Sequence, residues 1–492
     1  MALALQMTNG PGPPMARPPD DERTTSSVAR TSRDGDRLLT LSAPYLRGYT
    51  DEDLRDLESY FDPTAILLTD ATTGAPVRRL TSALETPVVD PAEPGRTDLD
   101  RTTLVTAPGL DDATSLLDRE FERPATVVTG FIEHEYDPHT FETRFSGLSA
   151  YQDLVGDRLD IRTHLTTTLP AGQPIGRAAI PLYGAGFVDS PDGAQIPCLT
   201  LAPQPVVEEL DRRKVGLEAI PGVGRSMRRQ LHRIGCTHRR DVLDLEPTDL
   251  LELDGFGPYY AARVTTGARA IERGEPLRFV PDPLADRRRI YVDIETDSLS
   301  PRYIWQIGVY DDASEEYHVF VNDDEPGRES AVVEDFAAWV AANARDGTFV
   351  AWYGEHFDFV HLTEFIGRHA QPTHQEAWND VDTFDLLCDF VRPGVATPAR
   401  SQKLDVVADR LGYEREYPGL SGAQAAQAYA KWTAGDPMDW ERWISYCRDD
   451  VLATKYVYEE LADAEMVVDK RDLERAYHRS SGSSNLDQWD DS

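Results

Sequence analysis

"RIYVDIETD", residues 289–297, is built from β-branched and aromatic residues interleaved with acid, a composition that favours a strand. Successive strand side chains point to opposite faces, so Tyr291, Asp293 and Glu295 share one face while Val292 and Ile294 take the other. Two carboxylates on one face of a half-buried strand repel each other and lose hydration unless a cation compensates them. Alone, the stretch leaves two readings open: a solvated edge, or the floor of a metal site. Asp297 lies on the same face.

The chain as a whole makes acid cheap. Its 492 residues carry 86 Asp plus Glu against 50 Lys plus Arg, a formal net charge of -36. Adjacent acids are therefore background, and spacing must separate a site from that background. Lys occurs only at positions 214, 403, 431, 455 and 470. Diffuse acid with little Lys resembles the proteins of salt-accumulating halophilic archaea, where screening shortens like-charge repulsion. The four cysteines, Cys198, Cys236, Cys388 and Cys447, show no zinc-type spacing. No apolar run approaches the roughly 18 residues of a membrane span, and the expected location is cytoplasmic, without a membrane partner.

Around residue 289 the pattern is strand, strand, strand, helix, strand, then mostly helices. "RIYVDIET", "YIWQIGVYD" and "EYHVFVN" are the first three strands; "VEDFAAWVAANAR" is a helix, "TFVAWYG" a strand and "FVHLTEFIGRHA" a helix. An α/β domain with a mixed sheet is expected over 288–468. Within it "AWYGEHFDF" places Asp358 near the C-terminal end of the fourth strand. In "WISYCRDDVLATKYVYEEL" Tyr446 and Asp450 are four apart and share a helix face, whereas Asp449 is turned about 100 degrees away and is expected in solvent. Asp382 and Asp385 of "DVDTFDLL" can be read as ligands, and more readily as helix-framing acids.

Asp293, Glu295, Asp358 and Asp450, in that order and with Tyr446 four residues before the last, resemble the DEDD superfamily of ribonuclease-H-like 3'-5' exonucleases in its Tyr-containing subgroup. The segments "DTFDLLCDFVRPG", "SQKLDVVADRLGYEREYPGLSGAQAAQAY" and "YCRDDVLATKYVYEEL" further resemble YprB-type nucleases. The resemblance implies phosphodiester hydrolysis with two ions, Mg2+ or Mn2+, about 4 Å apart. It implies that Asp293 bridges both ions, Glu295 and Asp450 hold the first, Asp358 holds the second, and Tyr446 orients the attacking water. One departure stands out. Where many members carry Asn shortly before the Phe-Asp pair, this chain has Tyr353-Gly354-Glu355-His356, and His356 either touches the scissile phosphate or plays no part.

Residues 210–276 contain a repeat at an offset of 33: "LEAIPGVGRSMRRQL" (217–231) matches "LLELDGFGPYYAARV" (250–264). Each copy sets a Gly-x-Gly turn before a helix, whose N-terminal N–H groups can hold a phosphate. The turn residues are Gly222 and Gly224, then Gly255 and Gly257. Residues 212–240 hold nine Lys plus Arg, among them Arg225, Arg228 and Arg229, against the single acid Glu218. The pair resembles a tandem helix-hairpin-helix module, a small all-α binder of nucleic-acid backbone, with the first copy expected to do more because Asp254 precedes the second turn.

Residues 1–37 are expected to be a disordered leader and 38–205 a small α/β domain of unreadable function, with a hairpin closed at Ser190-Pro191-Asp192-Gly193. A boundary is expected at 277–287. Residues 469–492 are expected to be a polar tail, in which Leu486 and Trp489 loosely resemble peptides that dock on the sliding clamp. Two function classes follow. One is a metal-dependent nuclease, a 3'-5' exonuclease in repair or replication, with DNA favoured over RNA as partner. The other is a non-catalytic nucleic-acid-binding or scaffolding protein on the same fold.

Overall fold

The computed structural model describes residues 35–137, 142–175, 180–190, 193–324 and 326–483. They form two compact units that divide between Ala219 and Ile220.

The N-terminal unit is a pair of mixed sheets. One is ordered Val188–Ser190, Gly193–Leu201, Asp36–Ser42, Ala65–Thr69, Val88–Val89, with Val206–Asp211 also paired to Gly193–Leu201. The other is ordered Leu182–Gly186, Ile161–Pro170, Ala125–Thr129, Thr103–Ala107, Gly95–Asp98. Alternation along each strand builds the layers. Leu38 and Leu67 meet Leu104, Val128 and Leu165 between the sheets, whereas Leu39, Leu41 and Ile66 face the opposite way, onto Leu54, Leu57 and Leu80 of the helices. The region is thus α/β as expected but richer in strand. The domain starts earlier than expected, because Asp36 and Arg37 already lie in a strand paired to Leu201 and Thr200. It also ends later, because Val206–Asp211 completes the sheet. Val188 to Ser190 pairs with Gln195 to Gly193 as the expected hairpin; Pro191 and Asp192 lie outside the described residues. Most of the leader and the clamp-like residues 484–492 also lie outside them.

The C-terminal unit is built on one five-stranded sheet. We number its strands β1 (Arg289–Thr296), β2 (Ile304–Asp311), β3 (Glu316–Val321), β4 (Thr348–Ala351) and β5 (Asp382–Asp385); their spatial order is β3-β2-β1-β4-β5. β1, β2 and β3 are antiparallel neighbours, and β4 and β5 run parallel to β1. β5 was not expected: at four residues and half exposed, it carries too little apolar pattern to stand out. Ile290, Val292 and Ile294 of β1 pack on the helices Glu329–Asn343 and Asp358–His369. Tyr291 packs on the other side with Val451, Val457 and Leu461 of the helix Trp440–Ala462. Gly308 of β2 lies opposite Asp293. A Cβ there would come within 2.8 Å of Cys447 Sγ and 3.2 Å of Val451, so its absence lets the long helix settle on the sheet.

Residues 220–276 are not separated from this sheet at the boundary expected at 277–287. Leu277–Arg278 pairs with both Val395–Ala396 and Glu465–Met466, and Phe279 N–H donates to Gly394 O at 2.9 Å. The expected polar tail begins as the helix Lys470–Ser483, whose Leu473 is buried against Ala262 and Phe279.

Candidate active site

The odd-numbered face of β1 carries Asp293 and Glu295 towards the helix Trp440–Ala462, whose Asp439 side chain accepts from Arg442 N–H at its first turn. From that helix Tyr446, Cys447 and Asp450 project back. Cys447 Sγ lies 3.6 Å from Asp293 Oδ2, and Tyr446 hydrogen-bonds Asp450. Oxygens of Asp293 and Glu295 and the Cys447 sulfur lie within 4.8 Å of one another.

Asp358 arrives from a different element than expected. β4 ends at Ala351, and Asp358 is the first residue of the helix Asp358–His369. Because β1 pairs with β4 only from Arg289 to Tyr291, the later edge of β1 is free, and Ile294 N–H donates to the Asp358 carboxylate. The structure therefore brings together the four acids and Tyr446 from three separated segments.

The electrostatics are those of an undercompensated cluster. Burial and then the charges of Asp450, Asp358 and Glu295 push the Asp293 carboxyl well above the usual range. Burial followed by Asp450 and Asp358 does the same to Glu295. Burial raises Asp358 to about 7, against the pull of the backbone donors. Asp450 is also raised by burial, with Arg415 opposing the shift. Burial and the nearby acids raise the Tyr446 phenol further, so it keeps its proton and acts by orientation. Burial likewise holds the Cys447 thiol protonated.

Arg415 is the site residue that the sequence reading missed. Its Nη1 lies 2.6 Å from Asp450 Oδ1, and its Nε and Nη2 are buried with no hydrogen-bond partner. Asp449 explains its placement and corrects the expectation of a solvent charge. Asp449 is buried and accepts from Glu416 N–H at 2.8 Å and from Tyr413 Oη at 3.4 Å, pinning the segment that carries Arg415. A lone Arg between two Glu in "YEREY" was the available signal.

Asp297 stays outside because it serves its own turn: it accepts from Arg302 N–H at 2.7 Å and pairs with the Arg302 guanidinium at 3.0 Å. Asp385 frames a helical turn, accepting from Cys388 N–H at 2.9 Å. In the hairpin region Gly222 and Gly255 have φ of 91° and 87°, where a Cβ is disfavoured. Gly224 and Gly257 precede the helices Arg225–Arg233 and Pro258–Arg273. Arg225, Arg228 and Arg229 are exposed, but part of the basic island is spent internally, Arg239 and Arg240 both pairing with Glu272.

Residues 290–462 match the family model of the RNase_H superfamily. The C-terminal region is thus a ribonuclease H-like domain, the class to which its sheet order and acid cluster also point. No curated protein matches the chain. The donor set fits a hard divalent cation: burial first, and then the neighbouring acids, push these carboxyls up, and a bound cation is the charge that would relieve both. Among the described residues no helix is long and apolar enough to cross a membrane.

Proposed function

We propose that this protein is a metal-dependent nuclease, a 3'-5' exonuclease acting on DNA, held on its substrate by a tandem helix-hairpin-helix module at 210–276. The observation that carries the reading is the buried, undercompensated cluster of Asp293, Glu295, Asp358 and Asp450. A fold does not keep four such acids together without return, because each loses hydration and repels the others. Asp293, Glu295 and Asp450 would hold one ion and Asp293 with Asp358 the other; when bound, the pair supplies an activated water and a stabilised leaving oxygen.

The protein's own groups do the rest. Tyr446, protonated and hydrogen-bonded to Asp450, presents a fixed hydroxyl that orients a water for in-line attack. Arg415 offers two unpartnered N–H groups to phosphate oxygens beside Asp450. Exposed Arg225, Arg228 and Arg229, beside the Gly222 and Gly224 turn, contact backbone phosphates and position without reading bases.

The test is end-labelled single-stranded DNA and RNA incubated with manganese, comparing wild type with Asp293→Ala. Shortening of the strand from its 3' end by wild type alone is the expected result. Binding without shortening of any labelled substrate would leave the non-catalytic binder. Replacing Arg225, Arg228 and Arg229 by Gln should lower the slope of log affinity against log salt by about 2 for a single strand; an unchanged slope removes the hairpin assignment.

A further inference from the structure

Tyr353 lies in the left-handed region at φ 63°, a conformation that Gly, Asn and Asp adopt far more readily than an aromatic residue. Asp385 holds it there. Tyr353 and Glu355 N–H groups donate to its two oxygens at 3.1 and 3.0 Å, in addition to Cys388 N–H. Although His356, Asp385 and Cys388 lie within 4.8 Å of one another, the buried carboxylate is already occupied by backbone donors and frames the turn.

The strained turn sustains an exposed stack. The rings of Tyr353 and His356 lie 4.3 Å apart and 6° from parallel, and the Arg392 guanidinium sits 5.2 Å from the Tyr353 centroid. Tyr353 is 37 % exposed and His356 is exposed, so neither ring contributes to a core. His356 is two residues from Asp358.

Arg392 also ties this turn to the helix Pro258–Arg273. The carbonyl of Arg392 accepts from Tyr259 Oη at 2.7 Å and from Arg263 Nη1. Arg263 is also the side chain that a Cβ at Gly222 would strike, 3.1 Å from its Cδ. A series of contacts therefore links the Gly222 turn, through Arg263 and Arg392, to Tyr353, His356 and the edge of the acid cluster.

We infer that this series is the path of a single-stranded nucleic acid, whose terminal base stacks on Tyr353 and His356 while its phosphates run past Arg392 towards the Gly222 turn. Exposed aromatic faces in line with guanidinium groups are the chemistry that binds single strands irrespective of sequence, and in a blunt duplex the terminal base is held in its pair and cannot splay out onto a side chain. The inference rests on the nuclease reading for the role of the acid cluster, and its test reads binding without cleavage.

Asp293→Asn protein in calcium is titrated with oligonucleotides carrying 2-aminopurine at the 3' terminus or in mid-strand. Quenching at the terminus is expected, together with weaker binding of blunt duplex. Adding Tyr353→Asn, which suits the left-handed backbone, should leave the melting temperature unchanged or higher, abolish terminal quenching and weaken binding about 10-fold; Tyr353→Phe should restore both. Arg392→Gln should lower the salt slope by about 1. Terminal quenching and affinity untouched by Tyr353→Asn, or equal affinity for blunt duplex, would overturn the path. Quenching without cleavage by the wild-type protein would instead remove the nuclease reading alone, and cleavage without quenching would remove the path alone.

Discussion

The two ends of the β1/β2 pair treat buried acid in opposite ways. At one end Asp311, 3 % exposed, meets the Arg288 guanidinium at 2.5 Å, and neighbouring Asp312 meets Arg289 at 2.6 Å. Burial pushes the Asp311 carboxyl up, but the Arg288 hydrogen bond and the Ala313 N–H outweigh it, so the group ionises more readily than usual. At the other end Asp293, Glu295, Asp358 and Asp450 are all pushed up, and Arg415 meets only Asp450. Along this strand pair, then, the structural acids at one end each have an Arg. The deficit at the other end is what the proposed divalent cations would fill.

The comparison can be broken at either end. The largest effect is expected from Asp293→Asn, which should slow manganese-dependent cleavage of labelled DNA at least about 1000-fold, roughly 4 kcal/mol in the barrier, without lowering the melting temperature in chelator. An undiminished rate would remove Asp293 from the site. At the compensated end, Arg288→Met strands buried Asp311 and should cost roughly 3 kcal/mol in urea unfolding. A neutral result there would mean that the two ends do not differ.

Asp358→Asn should act in the reverse direction on the metal-free protein. Its folded carboxyl titrates near 7, above the unfolded value, so the folded state binds the extra proton. Relative to the Asn variant, the wild type therefore loses stability as pH rises from about 4 to about 7 and stays lower beyond. The expected gap is roughly 2 kcal/mol at pH 8, less than the full shift because neighbouring acids share the protons, and it should vanish at pH 4. Added Mg2+ or Mn2+ should close it at pH 8. A pH-independent gap would contradict the assigned repulsion. Smallest is Arg415→Gln, expected to lower metal-free stability by about 1 kcal/mol at pH 8, less than at Arg288 because Asp450 is already pushed up and can take a proton instead; divalent metal should rescue the loss, and unfolding curves with and without it provide the check.

What the sequence made legible were features governed by local period. The alternation in "RIYVDIETD" assigned Asp293 and Glu295 to one face, and the four-residue step from Tyr446 to Asp450 assigned them to one side of a helix; the structure keeps both. What escaped depended on chain segments meeting from afar. Asp358 moved from strand to helix because β4 ends at Ala351 while β1 runs on to Thr296, and the chain turns before Asp358 opens the next helix. Asp449 went from surface to interior because the "YEREY" segment, more than thirty residues earlier, folds over it. No period marks such an event. Val206–Asp211 and β5 were missed for a related reason: edge strands with few buried side chains lack the apolar alternation by which strands are recognised.

The small ladder made by Leu277–Arg278, Val395–Ala396 and Glu465–Met466 has a consequence for how the C-terminal unit unfolds. It ties together three stretches of chain that are far apart in the sequence. The helix Pro258–Arg273, which leads into it, buries Ala261, Ala262, Val264 and Ala268. The helix Pro258–Arg273 and the acid cluster therefore belong to one cooperative block, and calorimetry should record a single melting event for them. No clean excision point exists between the part that would grip a strand and the part that would cut it.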